Sequence, residues 1–374
     1  MNIKVRKMPS YTKQRKGELS YGDVGVESTA EDKGFKKLLN LLKRTTKLST
    51  IPVELEFGYF TNVLNIGNNM GLAISTDGVG TKLIVAQMMN KYDTVGIDCI
   101  AMNVNDILCV GAEPFSMVDY IAVQSLAPKL LEEIGVGLLK GAEIAEISIP
   151  AGEIAQIKEM LRGEREGFGF DLVGTAVGLV PLDRLILGED IQEGDSLVGL
   201  RSRGIHSNGF TLARKALFEI GRYEIDTYFR EFGRTLGEEL LEPTHIYVPE
   251  IKEMLRAGLK IKALIHITSD GFLNLTRVKA DCGYIVEKTP DPHPIFKLIQ
   301  DTGKITDEEM FLVFNMGIGF CVIVDNADVQ NVFNICKKFN VECYRMGYAV
   351  KDIEKKVIIE DKKLIGKNGK FLKF

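Results

Sequence analysis

The sequence predicts an α+β (mixed α/β) fold in two domains, and three observations carry that prediction. Apolar strand-like runs alternate with amphipathic helical ones through both halves of the chain. At 374 residues the chain is long for one ordinary core of ~100–200 residues. The composition, 45% hydrophobic and 26% charged without a low-complexity tract, is that of a protein that buries a core. The first domain is expected to end near Pro181, giving an N-terminal domain over residues 1–180 and a C-terminal domain over 181–374.

The elements follow in order. A polar, turn-rich start ends in Ser20-Tyr21-Gly22-Asp23-Val24-Gly25-Val26, and Lys36 to Leu48 reads as a basic amphipathic helix. Gly71 to Ser75 is a strand that runs into Thr76-Asp77-Gly78-Val79-Gly80-Thr81-Lys82, with a helix directly after it. Thr94 to Val110 is a helix apolar on most of its faces, Pro114 to Val123 a strand, and Leu126 to Ala142 a helix. Ile144 to Ile149 and Phe170 to Val180 read as strands around a charged, glycine-bearing insertion, Lys158 to Gly169. In the second half come a strand over Ser196 to Leu200, a loop over Ser202 to Gly209 and a helix over Phe210 to Ile220. Strands near Ile265 and Phe320 and helices near Ile295 and Val329 complete it.

Charge and cysteine usage exclude several classes. A net charge of −4 gives no basic field for nucleic acid, and the lysine-rich tail is interrupted by acids. No apolar run reaches the ~18–20 residues of a bilayer span, so no membrane partner is expected. The basic N-terminus has no apolar core and does not read as a signal peptide. The six cysteines are scattered without a Cys-x-x-Cys pair, which suits a reducing compartment, and the expected location is the cytoplasm.

Asp77-Gly78-Val79-Gly80-Thr81-Lys82 is the densest chemical signal. A strand ends, two glycines let backbone approach a ligand, and a helix begins with free N–H groups suited to an anion. Lys82 adds a positive charge and Asp77 a hard oxygen suited to Mg²⁺. The spacing is not that of a P-loop, and a plain capped turn would use the same glycines. Asn103-Val104-Asn105-Asp106 puts two amides and a carboxylate into an apolar helix, where they need partners. Two readings stand there: a hydrogen-bonded core network, or Asp106 as a second metal carboxylate with Asn105 orienting it or the phosphates. Asp119 inside an apolar strand and Glu153 after Gly152 are further candidate acids. Several acids and one lysine after a glycine turn fit a Mg·ATP site. His206, Ser207 and Asn208, between a strand and a helix, suit a substrate phosphate or ribose, or serve as a cap. His266 lies on an apolar strand, while His245 and His293 sit beside prolines as loop residues.

In these segments the chain resembles the aminoimidazole ribonucleotide synthetases (phosphoribosylformylglycinamidine cyclo-ligases) over nearly its whole length. The matching runs are Ser20–Val26, Thr76–Lys82, Gly96–Asp106, Gly111–Pro114 with Asp119-Tyr120, Gly204–Gly209, Pro243–Val248 and Asn315–Gly319, in the family's order. The resemblance implies an ATP-dependent, Mg²⁺-requiring enzyme of purine biosynthesis that converts formylglycinamidine ribonucleotide to aminoimidazole ribonucleotide, ADP and phosphate. It implies a homodimer whose N-terminal domains share a β-barrel, with ATP at the dimer interface. Asp77 and Asp106 would then hold the metal, and the Gly78–Gly80 turn, Thr81 and Lys82 the ATP phosphates. Asn105 and Glu153 would assist nucleotide binding. His206, Ser207 and Asn208 would face the ribonucleotide, with Lys82, Asp119 and His266 the catalytic candidates.

The chain departs from the family pattern at Ala151-Gly152-Glu153-Ile154-Ala155-Gln156, where Gln156 replaces an acid and receives no role. It departs again at Thr268-Ser269-Asp270-Gly271, in place of a glycine run, and in the long insertion before Gly169. Selenophosphate synthetase drops out because no cysteine precedes Cys99. Formylglycinamidine ribonucleotide synthetase, thiamine-monophosphate kinase and a catalytically silent ATP-binding partner are the alternatives. The retained acids speak against the last.

Overall fold

The computed structural model describes residues 19–25 and 33–374. The polar start before Leu19 and Val26 of the first matching run lie outside the described residues. The fold is mixed α/β, built on two large sheets.

The first sheet takes five strands: β1 (Asn62–Gly67), β2 (Met70–Gly78), β3 (Glu113–Val123), β4 (Gly152–Gln156) and β5 (Phe170–Pro181). Their order is β1-β2-β5-β3-β4, antiparallel throughout except for the parallel pair β3–β4. The burial of β5 alternates residue by residue, the period-two pattern of a sheet covered on one face. The covering layer is α3 (Val95–Leu108) and α4 (Pro128–Ala145), preceded along the chain by α1 (Lys33–Thr45) and α2 (Lys82–Met89). Glycines make α3 and α4 a close pair: a Cβ built on Gly96 would lie 2.2 Å from the Leu138 nitrogen. That approach holds α3 against the sheet, and α3 carries much of the chemistry below.

The second sheet has eight strands: β6 (Ser196–Arg201), β9 (Ile261–His266), β10 (Cys282–Val286), β11 (Ile318–Val324), β12 (Cys343–Lys351), β13 (Val357–Ile359), β14 (Leu364–Lys367) and β15 (Lys370–Lys373). A two-stranded ribbon, β7 (Tyr228–Phe229) with β8 (Arg234–Thr235), stands apart. All seven residues of β11 are buried, which is why Ile318 to Val324 is continuously apolar rather than alternating. The helices here are α5 (Phe210–Arg214), α6 (Leu236–Leu240), α7 (Val248–Arg256), α8 (Pro294–Gly303), α9 (Asp307–Val313) and α10 (Val329–Lys338). The expected helix to Ile220 is α5 continued as a π-helical turn over Lys215–Ile220.

One expectation is corrected. Ile144 to Ile149 is not a strand: α4 continues to Ala145, and the segment after it gives only the isolated bridge Ser116–Ser148. The strand β4 lies further on, at Gly152–Gln156. A short apolar run fits a helix end and a strand equally well, and here the helical period wins, with Leu138, Gly141 and Ala145 buried on one stripe. The basic helix α1 is amphipathic as expected, yet it buries none of its residues.

The two parts of the molecule meet along α3. Helix α7 packs against α3 and α4, and Lys252 of α7 pairs with Glu113 and Glu146 across the junction. The Tyr21–Gly25 segment, by contrast, lies on the second half, with the Tyr21 N–H donating to Glu309 Oε1 at 2.6 Å.

Candidate active site

The acids of the site come from three elements that the first sheet brings together. Asp77 near the end of β2 and Asp119 on β3 both stand opposite Gly174 of β5. Residues paired across antiparallel strands share a face, so the two acids flank one glycine in a single row. That row faces α3: a Cβ on Gly174 would come 2.8 Å from Asn103 Nδ2 and from Met117 Sδ. Asn103 ties the helix to the row by donating to the Asp77 carbonyl at 3.1 Å and to the Cys99 carbonyl at 2.8 Å. The Cys99 thiol is pushed up by burial first and then by Asp119, Asp77 and Asp98, as a group ringed by carboxylates must be.

Asp106, one turn beyond Asn103, completes the set. Its Oδ1 lies 2.8 Å from His266 Nδ1 at the end of β9, and its side chain is 16% exposed. Burial, and next the Asp106 charge, push the Asp77 carboxyl up to about 6, against opposing help from the Gly78 N–H and His266. A carboxyl raised by a neighbouring carboxylate marks a spot where a cation is favoured. Among the described residues no group of three or more His, Cys, Asp or Glu side chains could hold a metal by itself. Mg²⁺ seldom uses such a cage. It takes one or two carboxylates and completes its shell with waters and substrate phosphates, so this carboxylate pair suits it.

His266 is wholly buried, and its Nε2 has no hydrogen-bond partner among the described residues. In the tautomer whose Nδ1–H donates to Asp106, Nε2 carries the lone pair. Asp119 is half-buried and raised by burial. It is given its room by Gly152, where a Cβ would stand 2.3 Å from Asp119 Oδ2. Glu153 pairs with Tyr120 along β4 and is exposed at the sheet edge, away from the row holding Asp77.

The glycine turn is laid out as expected at its tip and differently behind it. Gly80 has φ +71, the left-handed region glycine favours, with open space around its α-carbon, and Thr81 is exposed with its hydroxyl 3.0 Å from that of Thr211. Gly78 donates its N–H to Asp77. Lys82 does not extend onto this tip. Its ammonium is wholly buried, 2.9 Å from Asp98 Oδ1 and 2.7 Å from the Glu242 carbonyl, and sits 5.6 Å from the centre of the Phe210 ring. Asn105 is likewise occupied elsewhere: its Nδ2 donates to the His245 carbonyl at 2.9 Å, and its Oδ1 accepts the Tyr247 N–H at 3.0 Å. For Asn105 the core-network reading of the polar helix segment is the one the geometry gives. A helical phase tells which face a residue is on, and says nothing of which partner meets that face.

The loop before α5 holds the remaining candidates. His206 has φ 61 and is buried; its Nε2 accepts the Arg203 N–H at 3.2 Å while Nδ1 has no partner among the described residues. Burial holds its pKa well below the ordinary histidine range, so it is neutral. Ser207 is buried against Thr244, with the hydroxyls 3.0 Å apart, and Asn208 is half-exposed. His245 and His293 have partners of their own, Glu250 and the Ser202 carbonyl. Cavities of about 330 and 410 Å³ lie on the second half of the chain, and neither is lined by Asp77, Asp106 or Asp119. Asp98 and Thr244 were not singled out from the sequence. The signal for Asp98 was present, an acid between Ile97 and Ile100, and it is the same signal that marked Asp106.

The profile of the AIR synthase related protein N-terminal domain matches residues 61–180, and that of the corresponding C-terminal domain matches residues 192–360. A phosphoribosylformylglycinamidine cyclo-ligase of Methanocaldococcus jannaschii is 45% identical over 351 residues, 93% of this chain and 96% of that protein. One from Methanobrevibacter smithii is 43% identical over 334 residues, covering 89% and 95%. Among solved structures, the Aquifex aeolicus thiamine monophosphate kinase complexed with AMPPCP and TMP shares the fold at TM-score 0.59 and 15% identity, covering 92% of this chain and 98% of that one.

Proposed function

This chain belongs to the AIR synthase related family, alongside its phosphoribosylformylglycinamidine cyclo-ligases, and from that premise we propose the following chemistry for it. It closes the imidazole ring of aminoimidazole ribonucleotide from formylglycinamidine ribonucleotide, consuming one ATP and releasing ADP and phosphate, as a cytoplasmic enzyme of purine biosynthesis. The observation that carries the assignment to this site is the Asp77–Asp106–His266 group: two adjacent carboxylates and a buried imidazole whose Nε2 has no partner among the described residues.

The γ-phosphoryl group of ATP passes to the formyl oxygen, an amidine nitrogen attacks the activated carbon, and phosphate leaves with that oxygen. Phosphoryl transfer asks a protein mainly for positioning and charge neutralisation. The Gly78–Gly80 turn and Thr81 offer backbone and hydroxyl donors to the ATP phosphates. Asp77 and Asp106 would hold Mg²⁺, which when bound neutralises phosphate oxygens. Asp106 also fixes the His266 ring, the acid–base candidate buried behind that carboxylate. Asp119 lies in the same row as Asp77 and would orient water or substrate there. His206 and Asn208 face the ribonucleotide, the former as a neutral ring. Lys82 serves the site from behind, through Asp98. Glu153 keeps a role only if a second subunit brings nucleotide to the sheet edge.

That second subunit is the homodimer partner. Val118, Tyr120 and Leu179 are 38–41% exposed on the open face of the first sheet, which no helix among the described residues covers. An apolar sheet face of this kind marks an interaction surface, and a second copy closing it into a barrel supplies the missing layer.

The test is a single incubation with Mg·ATP and formylglycinamidine ribonucleotide, scoring aminoimidazole ribonucleotide and ADP together. Equal amounts of both, dependent on each component, are expected. ATP loss without the imidazole would point to a phosphotransferase, with thiamine monophosphate the next substrate to try.

A further inference from the structure

Helix α3 grips the second half of the molecule at two points seven residues apart, two helical turns and hence one face. Asn105 brackets the backbone of His245 and Tyr247, as described. Asp98 does more with less, because one oxygen takes three bonds. Its Oδ1 lies 2.9 Å from Lys82 Nζ, 2.7 Å from the Thr244 N–H nitrogen and 2.7 Å from the Thr244 hydroxyl. Lys82, Asp98 and Thr244 are all buried.

The proton count along this chain is determined. A threonine hydroxyl has one hydrogen, and beside a carboxylate, which can only accept, that hydrogen goes to Asp98. The 3.0 Å contact between Thr244 and Ser207 must therefore be donated by Ser207. Ser207, itself only 8% exposed, thus spends its own hydrogen on Thr244 and keeps only lone pairs for a further partner.

We propose that Asp98 and Thr244 are positioning residues that fix Ser207 as a hydrogen-bond acceptor, so that it takes an O–H or N–H of the ribonucleotide (a ribose hydroxyl or an amidine hydrogen) and not a phosphate oxygen. This rests on the reading above that the His206–Asn208 loop faces the ribonucleotide. It divides the labour within that loop, leaving substrate phosphate to groups that can donate.

Steady-state kinetics on the full-length protein test it, with wild type, Thr244→Val, Thr244→Ser, Ser207→Ala and the Ser207→Ala/Thr244→Val double variant. Thr244→Val keeps the backbone bond and the shape but releases the Ser207 hydrogen. It should raise KM for the ribonucleotide about five- to tenfold while KM for ATP stays within about twofold. Thr244→Ser should restore the wild-type value, and the double variant should be no worse than Ser207→Ala alone. A merely structural role would lower the active fraction and the melting temperature and leave KM alone. Wild-type KM in Thr244→Val, or losses that add in the double variant, would overturn the relay. A wild-type protein that makes no imidazole product would instead sink the functional reading, whatever the variants do.

Discussion

Asp77 binds its proton more tightly in the folded protein than a free aspartate does, with its carboxyl raised from 3.8 to about 6. The sign of the consequence follows. Stability from this group is fully present below the unfolded value and is lost as pH rises through about 6, so the metal-free protein should weaken by up to about 3 kcal/mol across that window. Asp77→Asn should therefore raise the melting temperature of the metal-free protein at pH 7–8 while lowering turnover at least ~100-fold. A variant that loses activity without gaining stability would refute the account of the pair. In the wild type, Mg²⁺ must displace that proton, so the Mg²⁺ activation constant should worsen about tenfold per pH unit below about 6. Lys82 behaves differently from what its motif suggests. Removing it leaves the Asp98 carboxylate buried without its cation, a loss of ~3–5 kcal/mol, so Lys82→Ala should lose activity by unfolding, seen as a large fall in the thermal midpoint. A well-folded Lys82→Ala protein with a raised KM for ATP would return the lysine to the phosphates.

At the scale of elements, α3 organises the site, and its sequence shows how far patterning reaches. The polar residues Asp98, Asn103, Asn105 and Asp106 are legible as anomalies in an apolar helix, because each needs a partner when buried. Their division of labour is not legible. Asp106 meets His266, which is 160 residues away in the chain, and Asn105 meets backbone about 140 residues away, and no local pattern encodes either meeting. The strand β4 was missed for a related reason: Gly152–Gln156 is short and mostly exposed, and it is held by pairing to β3 rather than by apolar periodicity. Its first residue matters nonetheless. Gly152→Ala would put a methyl group 2.3 Å from an Asp119 oxygen, so the carboxylate must move. The expected outcome is a fall in kcat of about tenfold or more with a melting temperature little changed, read by kinetics beside calorimetry.

For the whole molecule, the open face of the first sheet is the feature a single chain does not explain. The proposed homodimer predicts that a pair of substitutions on it, Val118→Asp with Tyr120→Lys, leaves the secondary structure intact and gives a monomer in sedimentation where the wild type gives a dimer; a monomeric wild type would overturn that proposal. Turnover should fall with the dimer if nucleotide sits between subunits. An active monomer would separate assembly from catalysis. Among the described residues no helix is long and apolar enough to cross a membrane, and the six cysteines are free.

The sequence alone determined the alternating α/β architecture and the glycine turn after β2, and it singled out Asp77, Asp106, Asp119 and the loop at His206 as candidates. These are local facts: periodicity, turn chemistry and the cost of burying charge can be read along a chain. Only the tertiary structure decided that Lys82 faces inward to Asp98, that Asn105 joins the two halves, and that Ser207 is left with lone pairs to offer. Each of those depends on which buried group comes within 3 Å of which, and that is set by how two separately patterned sheets pack around one helix.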